Sequence, residues 1–220
     1  MTKRFHLFAT VHKGLRNALN TLVWTAGKMD VDDEERRGAF FAEFKDVAAM
    51  LHQHAKDEDT HIDPLIERCA PEVSRALEEQ HRRSEEQLSA LERSAAELER
   101  SFDAEAWLSF VDEFNRFVGD YYLHLYHEEA IAMPRLWASY DDAALLATSM
   151  KLRSGIPAHI QSNFQKYMIP AASIQEQTMM LSGAKSSVPE PVFQGICALY
   201  ESLLPADEWK KLQERVMVGR

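Results

Sequence analysis

Apolar residues recur at alternating intervals of three and four along the chain as far as Ile131, the period of one helix face. The first stripe is Phe5, Phe8, His12, Leu15, Leu19 and Leu22. The acidic stretch Asp30 to Glu35 stops it and supplies a capping start for the second, which runs Phe40, Phe44, Val47, Leu51, His54, Glu58, His61 and Leu65. Pro64 and Pro71 bracket the next connection, and Pro71 suits a first helical turn. The third stripe is Val73, Leu77, His81, Ser84, Leu88, Leu91, Ala95 and Leu98. Ser101 and Asp103 cap the fourth, with Trp107, Phe110, Phe114, Phe117, Tyr121, His124, Glu128 and Ile131. The pattern predicts an all-α protein in which residues 1–140 form an up-down-up-down four-helix bundle.

Residues 141–220 read as a C-terminal helical extension. Asp141 or Asp142 caps a helix containing Leu145, Leu146 and Met150, and Pro157 opens another that Pro170 interrupts or kinks. Ser182 to Pro191 is rich in Gly, Ser and Pro and reads as a turn. Val192, Ile196, Leu199 and Leu203 mark an amphipathic helix, and Pro205 begins a last one with Trp209, Leu212 and Val216. Nothing in this tail has ligand spacing, and Met150, Met168, Met179 and Met180 read as core filler, a pocket lining or a soft interface. The extension is expected to pack on the bundle or to make a homodimer contact.

Polar groups inside the stripes change the picture. His54-x-x-x-Glu58 and His124-x-x-x-Glu128 each set an imidazole and a carboxylate one turn apart on an inward face. Each of these histidines precedes a proline (Pro64 and Pro134) by ten residues, and His81 follows Pro71 by ten. In an up-down bundle that puts all three roughly 15 Å from one end, a level His12 also reaches. Four imidazoles and two carboxylates therefore converge on one layer. For any single one, a core histidine satisfied by its neighbours is the ordinary alternative. Six such groups at one level would be costly to bury without partners, whereas a pair of metal ions would use their lone pairs. Imidazole and carboxylate donors without thiolate suit iron, manganese or zinc. Adjacency pairs His12 with His54 on one ion and His81 with His124 on the other. Glu58 and Glu128 would bridge, and coordination positions would stay open for a small ligand.

Three further residues lie close by. His61, one turn beyond Glu58, is an additional candidate ligand or a filler of the bundle end. Tyr121, one turn before His124, reads as a hydrogen-bond donor just outside the ligands, a redox-active phenol or a core aromatic. His127 falls off the seam and reads as a rim residue.

The net charge of −10, with no basic patch, argues against nucleic acid and against an anionic membrane surface as partners. No apolar run is long enough for a membrane span, and Met1 to Asn20 lacks the apolar core of a signal peptide. Cys69 and Cys197 read as free thiols in a reducing cytoplasm.

One His in the first helix, His-x-x-x-Glu in the second, His in the third and His-x-x-x-Glu-Glu in the fourth resembles the hemerythrin-like, or HHE cation-binding, family over about residues 5–138. The matching residues are His12, His54, Glu58, His81, His124 and Glu128. The resemblance implies a non-heme di-iron centre, two Fe ions with Zn or Mn as alternatives, that meets O2, peroxide or nitric oxide (NO). Oxygen-carrying members have a second histidine one turn along the third helix, where this chain has Glu85, a further candidate ligand. They also carry Asp five residues after the fourth-helix histidine, whereas Glu128 here follows His124 by four. Fewer nitrogen ligands imply the sensing and iron-handling branch rather than reversible oxygen carriage. Ferritin-like sites share the Glu-x-x-His pairs Glu58/His61 and Glu78/His81, but they need a first-helix carboxylate that is missing near His12. The expectation is a cytoplasmic protein that binds or senses O2, NO or peroxide, or handles iron. The alternatives are a di-metal oxidase or peroxidase, or a metal-free helical interaction module.

Overall fold

The computed structural model describes residues 4–218, which form helices joined by short connections with no strand among them. Four helices are long: α1 (Ala9–Gly27), α2 (Glu34–His61), α4 (Pro71–Arg100) and α5 (Ala104–His127), with the short α3 (Asp63–Cys69) between α2 and α4. α1 packs against α2 and α5, and α4 packs against the same two, so the four close a ring. Asp33 and Asp103 cap α2 and α5 by accepting the backbone N–H of Arg36 and Ala106. Phe5 precedes α1, which begins at Ala9 rather than at the start of the apolar stripe.

The helix does stop ahead of Pro64, with α2 ending at His61 and the chain turning at Ile62, but the helical run continues past Pro134. Pro64 lies in the first turn of α3, and Pro134 in the first turn of α6 (Met133–Ser139). Between α5 and α6 the chain makes a π turn, Glu128–Ala132. Proline lacks an N–H, and its ring crowds the carbonyl four residues back. Widening one turn accommodates both effects. The wider turn also shifts the inward register: Ile131, expected inside, is 42% exposed and Ala132 is fully buried.

Five more helices follow: α7 (Asp142–Ser154), α8 (Ala158–Ala171), α9 (Ile174–Ser187), α10 (Glu190–Leu203) and α11 (Ala206–Val218). Asp141 is the cap of α7, whose Leu145 is buried while Leu146 and Met150 face outward. α9 runs through most of the expected turn, and within it the hydroxyls of Ser186 and Ser187 donate back to carbonyls at Ser182 and Gly183 instead of capping a turn. The break falls at Val188 and Pro189. In α10 the buried residues are Phe193 and Tyr200, and Val192 is exposed. α8 lies along α1 and α2 and adds Phe164 and Tyr167 to the bundle core. The close approach depends on Gly14: a Cβ there would stand 2.4 Å from Met168 Cγ. α9, α10 and α11 share a separate cluster around Phe193, Tyr200, Trp209 and Leu212.

The bundle itself has two apolar clusters. One contains Leu15, Phe44, Leu88 and Phe117, the other Phe8, Ile62, Leu77 and Leu136. Each long helix reaches from the first cluster towards the second, and the polar members of its stripe fall at the boundary. No described helix is long and apolar enough to cross a membrane.

Candidate metal centre

At that boundary α1 supplies His12, α2 supplies His54 and Glu58, α4 supplies His81, α5 supplies His124 and the π turn supplies Glu128. His12, His54, Glu58 and Glu128 each bring a donor atom within 4.8 Å of the others, and Glu58, His81, His124 and Glu128 do the same. The two sets share both carboxylates and divide their oxygens. Glu58 Oε1 lies 3.2 Å from His54 Nε2 and 3.8 Å from His12 Nε2, and Glu128 Oε2 lies 3.3 Å from His12 Nε2. The other oxygens face the other pair: Glu58 Oε2 is 3.5 Å from His81 Nε2, and Glu128 Oε1 is 3.3 Å from His124 Nε2 and 3.7 Å from His81 Nε2. Donors at about 2 Å from one cation stand about 3 to 3.5 Å apart, so these spacings fit two ions bridged by two carboxylates.

The hydrogen-bond inventory agrees with that reading. Nε2 of His12, His54 and His81, both oxygens of Glu58 and Oε2 of Glu128 are buried without a hydrogen-bond partner. Buried polar atoms are nearly always satisfied. Six of the nine such atoms among the described residues belong to the two converging donor sets; the others are on Asp63, Gln87 and Trp209.

Three of the imidazoles are held from behind. Glu129 accepts from His12 Nδ1 at 2.8 Å and is itself gripped by Arg16 at 2.7 Å. Asp59 accepts from His81 Nδ1 at 2.9 Å. Gln80 Oε1 lies 3.2 Å from His124 Nδ1, while its Nε2 reaches His127 at 2.8 Å. A carboxylate or amide oxygen accepts only, so each Nδ1 is the donor and each Nε2 is left to face the centre. Asp59, Glu129 and Gln80 are the residues that stripe reasoning passed over. Two of them had a signal: each glutamate shared by the two donor sets is followed by an acid, Glu58-Asp59 and Glu128-Glu129, and that acid holds a histidine of another helix.

Electrostatics show where positive charge is wanted. Burial pushes His54 down to about 4 and His124 down to about 3, so both rings are neutral near pH 7. Burial also opposes charge on His12, but Glu129, Glu58 and Glu128 outweigh it and raise the group to about 9. His81 is raised likewise, with Asp59, Glu128 and Glu58 overcoming burial. Burial, followed by the charge of Glu58, lifts Glu128 to about 8. Glu58 resists burial because His54, His12 and His81 surround it, and it stays well below the carboxylate range. Protons on His12 and His81 thus supply charge that divalent ions would supply instead.

A cavity of about 270 Å³ reaches the His81/His124 side, lined by Ser84, Glu85, Tyr121 and Glu58 as well as by both histidines. Tyr121 is buried with its ring 5.6 Å from that of His124, and burial raises its hydroxyl well above the usual range. Glu85 is exposed on the cavity wall, and His61 is half-buried at the end of α2. Neither joins the two donor sets. His127, half-buried, sits at the rim beyond Gln80.

The family model described as the hemerythrin HHE cation-binding domain matches residues 4–136, the span that contains all six converging residues. No curated protein and no solved structure matches the chain. With its His/Glu cluster inside that span, the chain belongs to the hemerythrin HHE cation-binding family.

Proposed function

We propose that the chain is a non-heme di-iron protein of the cytoplasm that binds or senses O2, NO or peroxide, or handles iron. In this reading residues 1–140 are an up-down-up-down bundle, and residues 141–220 are an extension that packs on it. His12 and His54 hold one ion, His81 and His124 hold the other, and Glu58 and Glu128 bridge them. The single observation that carries the reading is the set of buried donor atoms without hydrogen-bond partners, which divide between two sets sharing both carboxylates. Iron bound there would supply electrons to a small ligand and change the optical spectrum as it does so.

The protein's own residues set the conditions for that chemistry. Asp59, Glu129 and Gln80 fix three imidazoles through Nδ1 and leave Nε2 for the ions. Between the apolar clusters, the cavity beside His81 and His124 gives a small ligand an approach to that pair. Four protein donors per ion leave positions open on each. Because Tyr121 lines this cavity, a second reading as an oxidase or peroxidase has a specific basis: a phenol stands beside the ion that solvent reaches.

Anaerobic iron loading tests the proposal. Two equivalents of iron per chain are expected, with charge-transfer absorption appearing on exposure to O2, NO or peroxide. Less than one equivalent, or a spectrum unchanged by all three, would refute it.

A further inference from the structure

A second cavity, of about 200 Å³, lies on the opposite side of the centre and reaches His54 and Glu58. Its walls come from both parts of the chain. Phe8 and Ile62 line it from the bundle side, and Leu152, Phe164, Met168 and Met180 line it from the extension. Among its acidic and polar groups, Asp57 is buried, and its carboxylate has one hydrogen-bond partner among the described residues, Gln53 Nε2 at 2.8 Å.

We propose that this cavity binds a small neutral aromatic molecule carrying one hydrogen-bond donor, a phenol in the simplest case, with its ring among the apolar side chains and its donor on Asp57. Size selects the class first: an engineered apolar cavity of about 150 Å³ admits benzene, so 200 Å³ holds one substituted ring and no lipid chain. Charge selects next. An anion would face the buried carboxylates of Asp57 and Glu58, since the cation of the lining, Arg153, is exposed to solvent, and a cation would leave water for a largely apolar lining. A phenol is neutral up to about pH 10 and satisfies the free oxygen of Asp57. The proposal deepens the metal-centre reading and rests on it only for the neighbour it gives the ring, the ion held by His12 and His54.

Methyl spectra of the iron-loaded full chain, labelled at methionine, test it by titration with phenol. Met168 and Met180 line the cavity, whereas Met29 and Met50 belong to the bundle core away from it. Saturable one-to-one shifts of the Met168 and Met180 methyls, with Met29 and Met50 still, are the expected result. Leu152→Trp, which fills the cavity from the extension side, should weaken binding at least tenfold with iron content unchanged. Toluene, which has the shape without the donor, should bind at least tenfold more weakly than phenol to the unaltered chain. The absence of saturable shifts would overturn the proposal, as would toluene binding equal to that of phenol; the toluene comparison stands even if Leu152→Trp does not fold. Iron analysis of the same samples keeps the two readings separate, since lost iron with intact phenol shifts would sink the metal reading alone.

Discussion

Glu129 does its work through an atom that points away from the centre. It holds His12 Nδ1 at 2.8 Å and is steadied by Arg16, and burial notwithstanding, those two contacts keep its carboxylate down near 2. Partners of this kind orient a ligand and raise its basicity, and removing one typically costs about 10- to 100-fold in metal affinity. Glu129→Ala should therefore weaken the His12/His54 position by about that factor and leave the His81/His124 position, backed by Asp59, nearly unchanged. An iron titration would then resolve two classes of site where the unaltered chain shows tighter paired binding. A uniform loss at both positions would contradict the division of ligands. At this scale the sequence was informative: six inward polar residues at one depth are visible from spacing alone. Gln80 was not, because a neutral amide on the flank of a helix carries no periodic signal.

The elements meet with less tolerance than their propensities suggest. α8 lies against α1 where Gly14 has no side chain, and an added Cβ would stand 2.4 Å from Met168 Cγ and 3.2 Å from the Met168 backbone. Met168 Cγ can turn aside, but the backbone of α8 cannot without moving the helix. Gly14→Ala gains helix propensity of about 1 kcal/mol, yet overpacking of this kind costs about 1–3 kcal/mol. The net expectation is a lower melting temperature, measured by circular dichroism, and a melting temperature raised above that of the unaltered chain would contradict the packing described here. The four long helices were legible because their stripes are unbroken. The register after Glu128 was not, since the π turn answers a clash between Pro134 and the helix behind it, and periodicity assumes every turn is alike. For the same reason Ile131 and Ala132 exchanged places. α9 was misread because Gly and Ser are turn-formers by composition, while the Ser186 and Ser187 hydroxyls are satisfied within the helix.

At the scale of the molecule, the bundle, the layer and the extension form one argument. Two apolar clusters enclose a polar layer, and the carboxylates in that layer divide their oxygens between two histidine pairs. The extension adds α8 to the bundle core and closes a second cavity on the His54 side. That arrangement was invisible in the sequence, because Met168, Met180 and Leu152 become a lining only once α7, α8 and α9 are placed against α1 and α2. The central claim is that six residues hold two bridged ions. Anomalous diffraction from a crystal of the iron-loaded protein, collected on either side of the iron edge, tests it most directly. Two iron peaks are predicted, one between His12 and His54 and one between His81 and His124, with Glu58 and Glu128 contacting both. A single peak, or iron bound outside the layer, would contradict it.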